Sequence, residues 1–490
     1  MSRHDIAGLR SSLRGIPLLD DPARLKNKSR DFYWYSPILR DQLEDVRAEL
    51  VVLPENEEQV ITVLAECFAR GVPVTPRGAG TGNYGQAMPI EGGVVLDLSA
   101  LRAIRFIERG RARAQAGTRL LDLDAEARST CGQEQRMHPS TLRNATLGGF
   151  VCGGSGGVGS VTWGGLRDRG NVLGARVLTM EATPRTLELR ADATQKVIHG
   201  YGTTGIVTEV EIALAQAPQW IDAAVAFDAF EPAAAFAYSL ACQDALLKKL
   251  VTVLAAPIAD SYIRPLSVRA GAPGAHLVLA MLASEAFEPF EAMVRNVGGR
   301  LVHRQDDSST DTPGALLPIY EYAWNHTTLH ALKADRSITY HQTLHPAPDS
   351  VASAVALHRR FGDEVLQHLE FVRFDGTIAC YGLPLIRFTT PERLREIEVI
   401  YETSGCSTFS PHTVTLEDGG MKRVDPLQLA FKRDNDPLGL LNPGKMRAFR
   451  EPGYAGGERA LHLFSGGATV APSGSDGPKD AVHGTGAHAS

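Results

Sequence analysis

The chain lacks the features that would tie it to a membrane, to nucleic acid or to an oxidising compartment. Its longest uninterrupted apolar run is Leu277 to Ala283, where a bilayer span takes about 20 residues, so no integral membrane segment is expected. Charges interrupt every apolar stretch between Met1 and Leu19, and no secretory leader is read there. Positive charge is not in excess: 50 Lys and Arg stand against 56 Asp and Glu, a formal net charge of −6. That balance favours neither nucleic acid nor an anionic membrane as partner. Cysteine is sparse, and Cys67, Cys131, Cys152, Cys242, Cys380 and Cys406 show no C-x-x-C spacing. They read as free thiols of a reducing compartment, and a cytoplasmic protein is the expectation.

Glycine, by contrast, is concentrated where it carries information. Pro76-Arg77-Gly78-Ala79-Gly80-Thr81-Gly82-Asn83-Tyr84-Gly85 holds four glycines within eight positions. Such a backbone can run close to a ligand with its N–H groups turned inward, which suits a diphosphate. Gly80, Gly82 and Gly85 nominally spell the G-x-G-x-x-G dinucleotide fingerprint. That fingerprint needs a helix immediately afterwards, with its N-terminus at the pyrophosphate. Here Gln86 to Gly93 contains Pro89, Gly92 and Gly93 and runs into the strand-like Val94-Val95-Leu96-Asp97-Leu98. No helix starts there, so NAD is discarded and the loop is read as a strand-to-strand cradle.

At 490 residues the chain exceeds one ordinary core, and its composition is that of a globular protein with two or three domains. Residues 1–45 read as an N-terminal lead-in, with Phe32-Tyr33-Trp34-Tyr35 available to pack on a domain surface. A strand over 46–55, a helix over 57–70 with Val60, Val63, Leu64, Cys67 and Phe68 on one face, and a strand over 72–75 form a β-α-β unit before the loop. Strands follow at 104–107, 112–116, 172–182, 186–190 and 206–214, with a short helix at 120–127. Glycine thins out near Gln216-Ala217-Pro218, where a domain boundary falls. Beyond it, strand–helix–strand recurs at 277–282, 287–296 and 300–303 and again at 376–385, 390–403 and 407–409, suggesting a sheet with helices on one face. From about Glu451 the chain is rich in Gly, Ala and Ser, and a disordered tail is expected.

A second glycine tract, Thr146 to Ser160, is interleaved with Leu147, Phe150, Val151 and Val158. Linkers seldom carry such packing residues. Two anion-compatible loops about 60 residues apart imply one long ligand held from two sides.

The order Pro76 to Gln86, Val94 to Ser99, His138-Pro139-Ser140-Thr141 with Ala145 to Gly149, and Gly205 to Glu209 resembles the FAD-binding domain of the vanillyl-alcohol oxidase / p-cresol methylhydroxylase superfamily (a PCMH-type domain). Asp436-Pro437-Leu438-Gly439-Leu440-Leu441-Asn442-Pro443-Gly444-Lys445 is similar to the terminal signature of FAD-linked oxidases of the glycolate oxidase and D-lactate dehydrogenase type. The resemblance implies an α+β fold: a PCMH-type FAD domain over 46–217, an α+β substrate (cap) domain with antiparallel sheet over 218–448, and a tail over 449–490. It implies FAD with its diphosphate held by Arg77, Gly78, Ala79, Gly80, Thr81 and Gly82, with Gln86 beside them, and by Ala145, Thr146, Gly148 and Gly149. Pro139, Ser140, Thr141, Ser155 and Gly156 would lie towards the flavin, Gly205, Ile206 and Val207 towards the adenine, and Asn442 would return the tail to the flavin edge. Relatives with covalent flavin carry a His where Thr81 stands, and those with a second link carry a Cys where Asn144 stands, so non-covalent FAD is implied.

The activity implied is oxidation of a CH–OH carbon of a small molecule, a 2-hydroxy acid or related alcohol, by hydride transfer to flavin N5. The electron acceptor is left open among oxygen, a quinone and a redox protein, and a homodimer is compatible with the reading. Related hydroxy-acid enzymes carry a metal-binding histidine segment, but Asp375 to Gly382 contains no histidine, so no metal is expected. A substrate carboxylate would then call on Arg387 or Arg336. His326 and His330, four apart in a helical stretch from Tyr320, share a face as a polar wall or a metal pair. His412, at the start of a strand-like Thr413-Val414-Thr415-Leu416, is the preferred base, with Glu417 as partner if a bulge brings the two together. Two other classes remain: a flavin-dependent transferase of the alkylglycerone-phosphate synthase type, and a flavin-binding protein without turnover.

Overall fold

A computed structural model of the chain describes residues 4–306, 316–421 and 423–454; the tail expected beyond Glu451 lies largely outside them. Chain order begins with β1 (Leu18–Leu19), β2 (Leu50–Val52), β3 (Val74–Arg77) and β4 (Val94–Asp97), which form a sheet in the order β1-β2-β4-β3. β4 runs parallel to both β2 and β3. The helix Glu57–Ala69 makes the crossover: Asn56 caps its N-terminus by accepting from Gln59 N, and Val60, Val63, Leu64 and Cys67 are buried against the sheet. The strand expected over 46–55 is shortened to β2, while β3 extends through Pro76 and Arg77 into the glycine loop.

A second sheet comprises β5 (Ile104–Glu108), β6 (Arg111–Gln115), β7 (Gln133–Gln135), β8 (Val172–Leu178), β9 (Thr186–Arg190) and β10 (Ile206–Gln216). Its order is β5-β6-β10-β8-β9, with β7 also paired to β10. The Thr146 tract does not extend as a strand. Thr146 caps a short helix, Leu147–Gly153, whose Leu147, Phe150 and Val151 are buried among residues of this sheet.

The sheets change over between Gln216 and Trp220. Then come β11 (Trp220–Phe227), β12 (Lys248–Leu254), β13 (His276–Ala283), β14 (Arg300–Asp306), β15 (Ile338–Tyr340), β16 (Gln342–His345), β17 (Val365–Leu366), β18 (His368–Phe374), β19 (Thr377–Gly382), β20 (Leu385–Arg387) and β21 (Ser407–Phe409). Eight of them build an antiparallel sheet in the order β14-β11-β13-β12-β18-β19-β16-β21, and β15, β20 and β17 a small sheet of their own. The fold is α+β. The large sheet is apolar on both faces because alternate residues serve two cores. On β11, Ala223, Val225 and Phe227 join a cluster with the helices Phe230–Cys242 and Phe287–Asn296, whereas Ala224 and Ala226 join the core shared with the second sheet. Glu134 of β7 accepts from Lys249 Nζ at 2.6 Å and from Trp220 Nε1 at 3.0 Å, a buried ionic tie between the two parts.

Three local expectations are corrected. The strand expected over 376–385 stops at Gly382, and Leu385–Arg387 belongs to the small sheet. The helix expected from Tyr320 is broken at Trp324 (φ 52°, ψ −142°) into a turn, Ile319–Tyr322, and a helix, Asn325–Ala334. No strand forms over 413–416; Leu416–Gly420 is a wide helical turn.

Candidate functional site

A cavity of about 440 Å³ opens where the glycine loop, the Thr146 tract and residues of the large-sheet side converge. The two tracts press on each other. A Cβ on Gly78 would stand 2.1 Å from Thr146 Oγ1, and one on Gly148 would stand 2.5 Å from Ala116 Cβ. Gly80 has φ +69°, and its absent Cβ would fall 2.1 Å from the Arg77 guanidinium. Glycine is therefore required by close approach at two of these positions and by backbone conformation as well at the third. Every expected cradle residue lines the cavity except two. Ile206 instead pairs with Leu178 in the ladder, its side chain in the core. Asn442 supports the loop from behind, donating from Nδ2 to Gln86 O at 2.8 Å and Tyr201 O at 2.7 Å.

The N-terminal lead-in forms a wall of the cavity. Phe32 N–H donates to Gly82 O at 2.7 Å, and Asp31, Phe32 and Tyr35 line the space. Beneath the loop, burial pushes the Asp31 carboxyl up to about 6 and pulls the Lys445 ammonium down to about 7, each offsetting part of the other's shift. Lys445 Nζ donates to Gly85 O at 2.5 Å.

The facing wall comes from Glu321, Trp324, Asn325, His326, Leu329 and Lys333, with Gln342 of β16, Tyr381 of β19 and Leu383. His326 Nδ1 lies 2.7 Å from Glu321 Oε2, and Arg143, from the Thr146 side, reaches Glu321 Oε1 at 3.2 Å. Burial works against the Glu321 carboxylate, but His326 and then Arg143 outweigh it and hold its pKa below the ordinary value. His330 shares the helix but turns to Glu321 O at 3.1 Å. Trp324 holds a conformation that costs a non-glycine residue about 1–3 kcal/mol, and Tyr381 Oη is buried without a hydrogen-bond partner. Burial keeps the Tyr381 phenol well above its ordinary pKa, hence protonated and a donor.

The other catalytic candidates lie elsewhere. His412 is not at the cavity. Its Nδ1 is 2.8 Å from Ser36 Oγ and its Nε2 3.0 Å from Tyr340 O, and burial holds its pKa well below the ordinary value. Glu417 does not pair with it. Its carboxylate accepts from Arg447 N and Ala448 N, both at 3.0 Å, and burial raises its pKa. Arg387 is an exposed residue of β20, 3.8 Å from Asp335, and Arg336 is likewise exposed. Both assignments to His412 and Glu417 presupposed a strand that does not form. Among the described residues no group of three or more His, Cys, Asp or Glu side chains is placed to hold a metal, and no helix is long and apolar enough to cross a membrane.

The residues fit a flavin dinucleotide. The cradle would be filled by a Cβ at several points, and Tyr381 Oη and Asn325 Oδ1 are buried at its lining without partners. Residues 48–188 match the family model described as an FAD binding domain. Over 170 residues the chain is 34% identical to an uncharacterised FAD-linked oxidoreductase of Mycobacterium tuberculosis, covering 33% of this chain and 36% of that protein. Over 180 residues it is 35% identical to the glycolate oxidase subunit GlcD of Escherichia coli, covering 35% and 36%. A D-lactate dehydrogenase of Anaerostipes hadrus is 29% identical over 187 residues, 35% of this chain and 38% of that one. The match thus spans little more than a third of these curated relatives. A solved structure of alkyldihydroxyacetonephosphate synthase superposes with a TM-score of 0.67 at 15% identity, covering 90% of this chain and 85% of that one, a likeness of fold.

Proposed function

We propose that this chain, whose residues 48–188 belong to the FAD-binding domain family, is an FAD-dependent oxidoreductase acting on a CH–OH carbon of a small molecule, a 2-hydroxy acid or related alcohol. The observation that carries the reading is the junction of a glycine-walled dinucleotide cradle with a wall presenting the Glu321–His326 dyad. FAD, when bound, supplies the two-electron acceptor for the substrate hydride. Gly78 to Gly82 and Thr146 to Gly149 would hold its diphosphate, with Pro139, Ser140 and Ser155 towards the flavin.

The chain's own residues supply the proton chemistry. With Nδ1 engaged by Glu321, His326 keeps Nε2 for the hydroxyl proton of the substrate as its carbon is oxidised to a carbonyl. Tyr381 Oη donates to the substrate oxygen, while Phe32, Tyr35, Trp324, Leu329 and Leu383 exclude water. Attachment of FAD is non-covalent. Thr81 and Asn144 offer no nucleophile suited to the link, and burial pushes the nearby Cys152 thiol up to about 12, which suppresses its thiolate. A flavin transferase would need a phosphate-binding arginine on the wall that carries His326; of the two Lys or Arg residues among the described lining residues, Lys333 stands on that wall and Arg77 on the cradle side.

Purified protein is expected to be yellow and to release its FAD on acid precipitation. Anaerobic titration with hydroxy acids, alditols and aromatic alcohols should bleach the visible flavin band with one class. Reoxidation by oxygen, a quinone or a redox protein would then identify the acceptor. A protein that binds no added FAD would sink the reading, and FAD that no alcohol reduces would point to a flavin-binding protein without turnover.

A further inference from the structure

The segment that carries His326 meets the large sheet through Ile319 N–H on Asp222 Oδ2 at 2.7 Å, through Thr327 Oγ1 at 3.4 Å from His368 Nε2 and, at its break, through Trp324 on Glu370. Glu370 of β18 is 1% exposed and sits opposite Thr252 of β12 in the ladder. Its Oε2 accepts from Thr252 Oγ1 at 2.6 Å, and its Oε1 accepts from the backbone N–H of Trp324 at 2.6 Å and lies 2.8 Å from His368 Nε2. Trp324 is the residue that breaks the segment, at φ +52°, and immediately precedes the helix Asn325–Ala334. An N–H at that position has no intrahelical acceptor, so the carboxylate is what satisfies it. Beyond that residue, Asn325, His326, Leu329 and Lys333 face the cavity.

We propose that Glu370 is a positioning residue for the proposed reaction: through Trp324 N–H it fixes the height and direction of the wall that presents Trp324 and His326 to the flavin. The proposal rests on the reading of the cavity as an FAD site. Glu321 and Arg143 hold His326 from one side, but both ties lie within the wall or on its rim. The Trp324–Glu370 bond is the one that reaches the eight-stranded sheet from the residue in the unfavourable conformation. Remove the acceptor, and Trp324 can relax towards negative φ, rotating the start of the helix away from the cavity.

The test uses the full chain loaded with FAD, with Glu370→Leu and Glu370→Gln compared by the iodide quenching constant of flavin fluorescence and by visible circular dichroism of the bound flavin. Glu370→Leu is expected to raise the quenching constant at least threefold and to alter the dichroism, with FAD affinity within threefold of wild type. Glu370→Gln, which keeps an oxygen for Trp324 N–H, should recover at least half of the difference. If Glu370→Leu does not fold, Glu370→Asp, which keeps the carboxylate but retracts it from Trp324, should shift both signals in the same direction. A folded Leu or Asp variant with wild-type quenching and dichroism would overturn the proposal, because loss of structural support alone would lower thermal stability without exposing the flavin. Failure of the wild-type chain to bind FAD would instead remove the reading beneath it.

Discussion

The two walls of the cavity are built on opposite principles. The cradle wall is backbone: residues 77–82 together with 145, 146, 148 and 149, shaped by glycines that let two loops touch. The facing wall is side chains, gathered from the lead-in, a broken helix, β16 and β19, none adjacent in sequence to the others. A backbone cradle recognises what every ligand of its class shares, here a diphosphate, and a side-chain wall recognises what distinguishes one substrate from the next. On the proposed function, cofactor and substrate specificity are separable, and substitutions on each wall should fail differently.

The largest expected effect lies on the side-chain wall. His326→Ala should slow flavin reduction by the best alcohol of the screen about 10²–10⁴-fold while FAD remains bound. Equal loss of FAD in that variant would dissolve the distinction between the walls. On the cradle, Gly80→Val places a β-branched residue at φ +69° and drives its Cβ into Arg77. FAD affinity, measured by fluorescence titration of apoprotein, should fall about tenfold to a hundredfold, or roughly 1.4–2.8 kcal/mol, with the reduction rate of the flavin that remains bound little changed.

Acid should act on the buried histidines behind and beside the cradle. Burial, with Lys249 nearby, lowers His138 to about 3, and burial lowers His199 to about 4. A depressed folded-state pKa means that unfolding takes up a proton once the pH drops below about 6.5. Their contribution is intact above that value and is lost progressively down to pH 3–4. Urea unfolding at pH 7.5 and 5.5 should show a loss of about 1 kcal/mol per such histidine, and His138→Asn should remove its share of that slope. The smallest effect is expected at Arg143, whose side chain is 56% exposed. Arg143→Ala should cost under about 1 kcal/mol of stability and lower the reduction rate only modestly, since Glu321 still holds His326.

Much of the cradle was legible because its determinants are local. Gly78, Gly80 and Gly82 declare a close approach of backbone to ligand, and the absence of a helix after Gly85 separates this loop from an NAD site. Ile206 is read from the sequence as offering its main chain towards the adenine; the alternation of a buried strand does not say which side chain turns to a ligand, and here Gly205 and Val207 line the cavity while the Ile206 side chain enters the core. His412 looked poised at a strand's start, yet the segment after it turns helically and seals the imidazole between Ser36 and Tyr340. Both partners are far away in sequence, and no local pattern announces them. The break at Trp324 was equally silent, since a tryptophan gives no sign that a remote Glu370 will hold it at positive φ.

The sequence by itself therefore determined the α+β class and the glycine cradle, because glycine spacing and strand alternation act through a few neighbouring bonds, while FAD followed from the family resemblance that those motifs carry. Only the tertiary structure decided that the lead-in closes the cavity, that His326 rather than His412 faces it, and that Glu370 anchors the wall. Those outcomes depend on contacts across tens to hundreds of residues, where packing and desolvation choose among side chains that look alike along the chain.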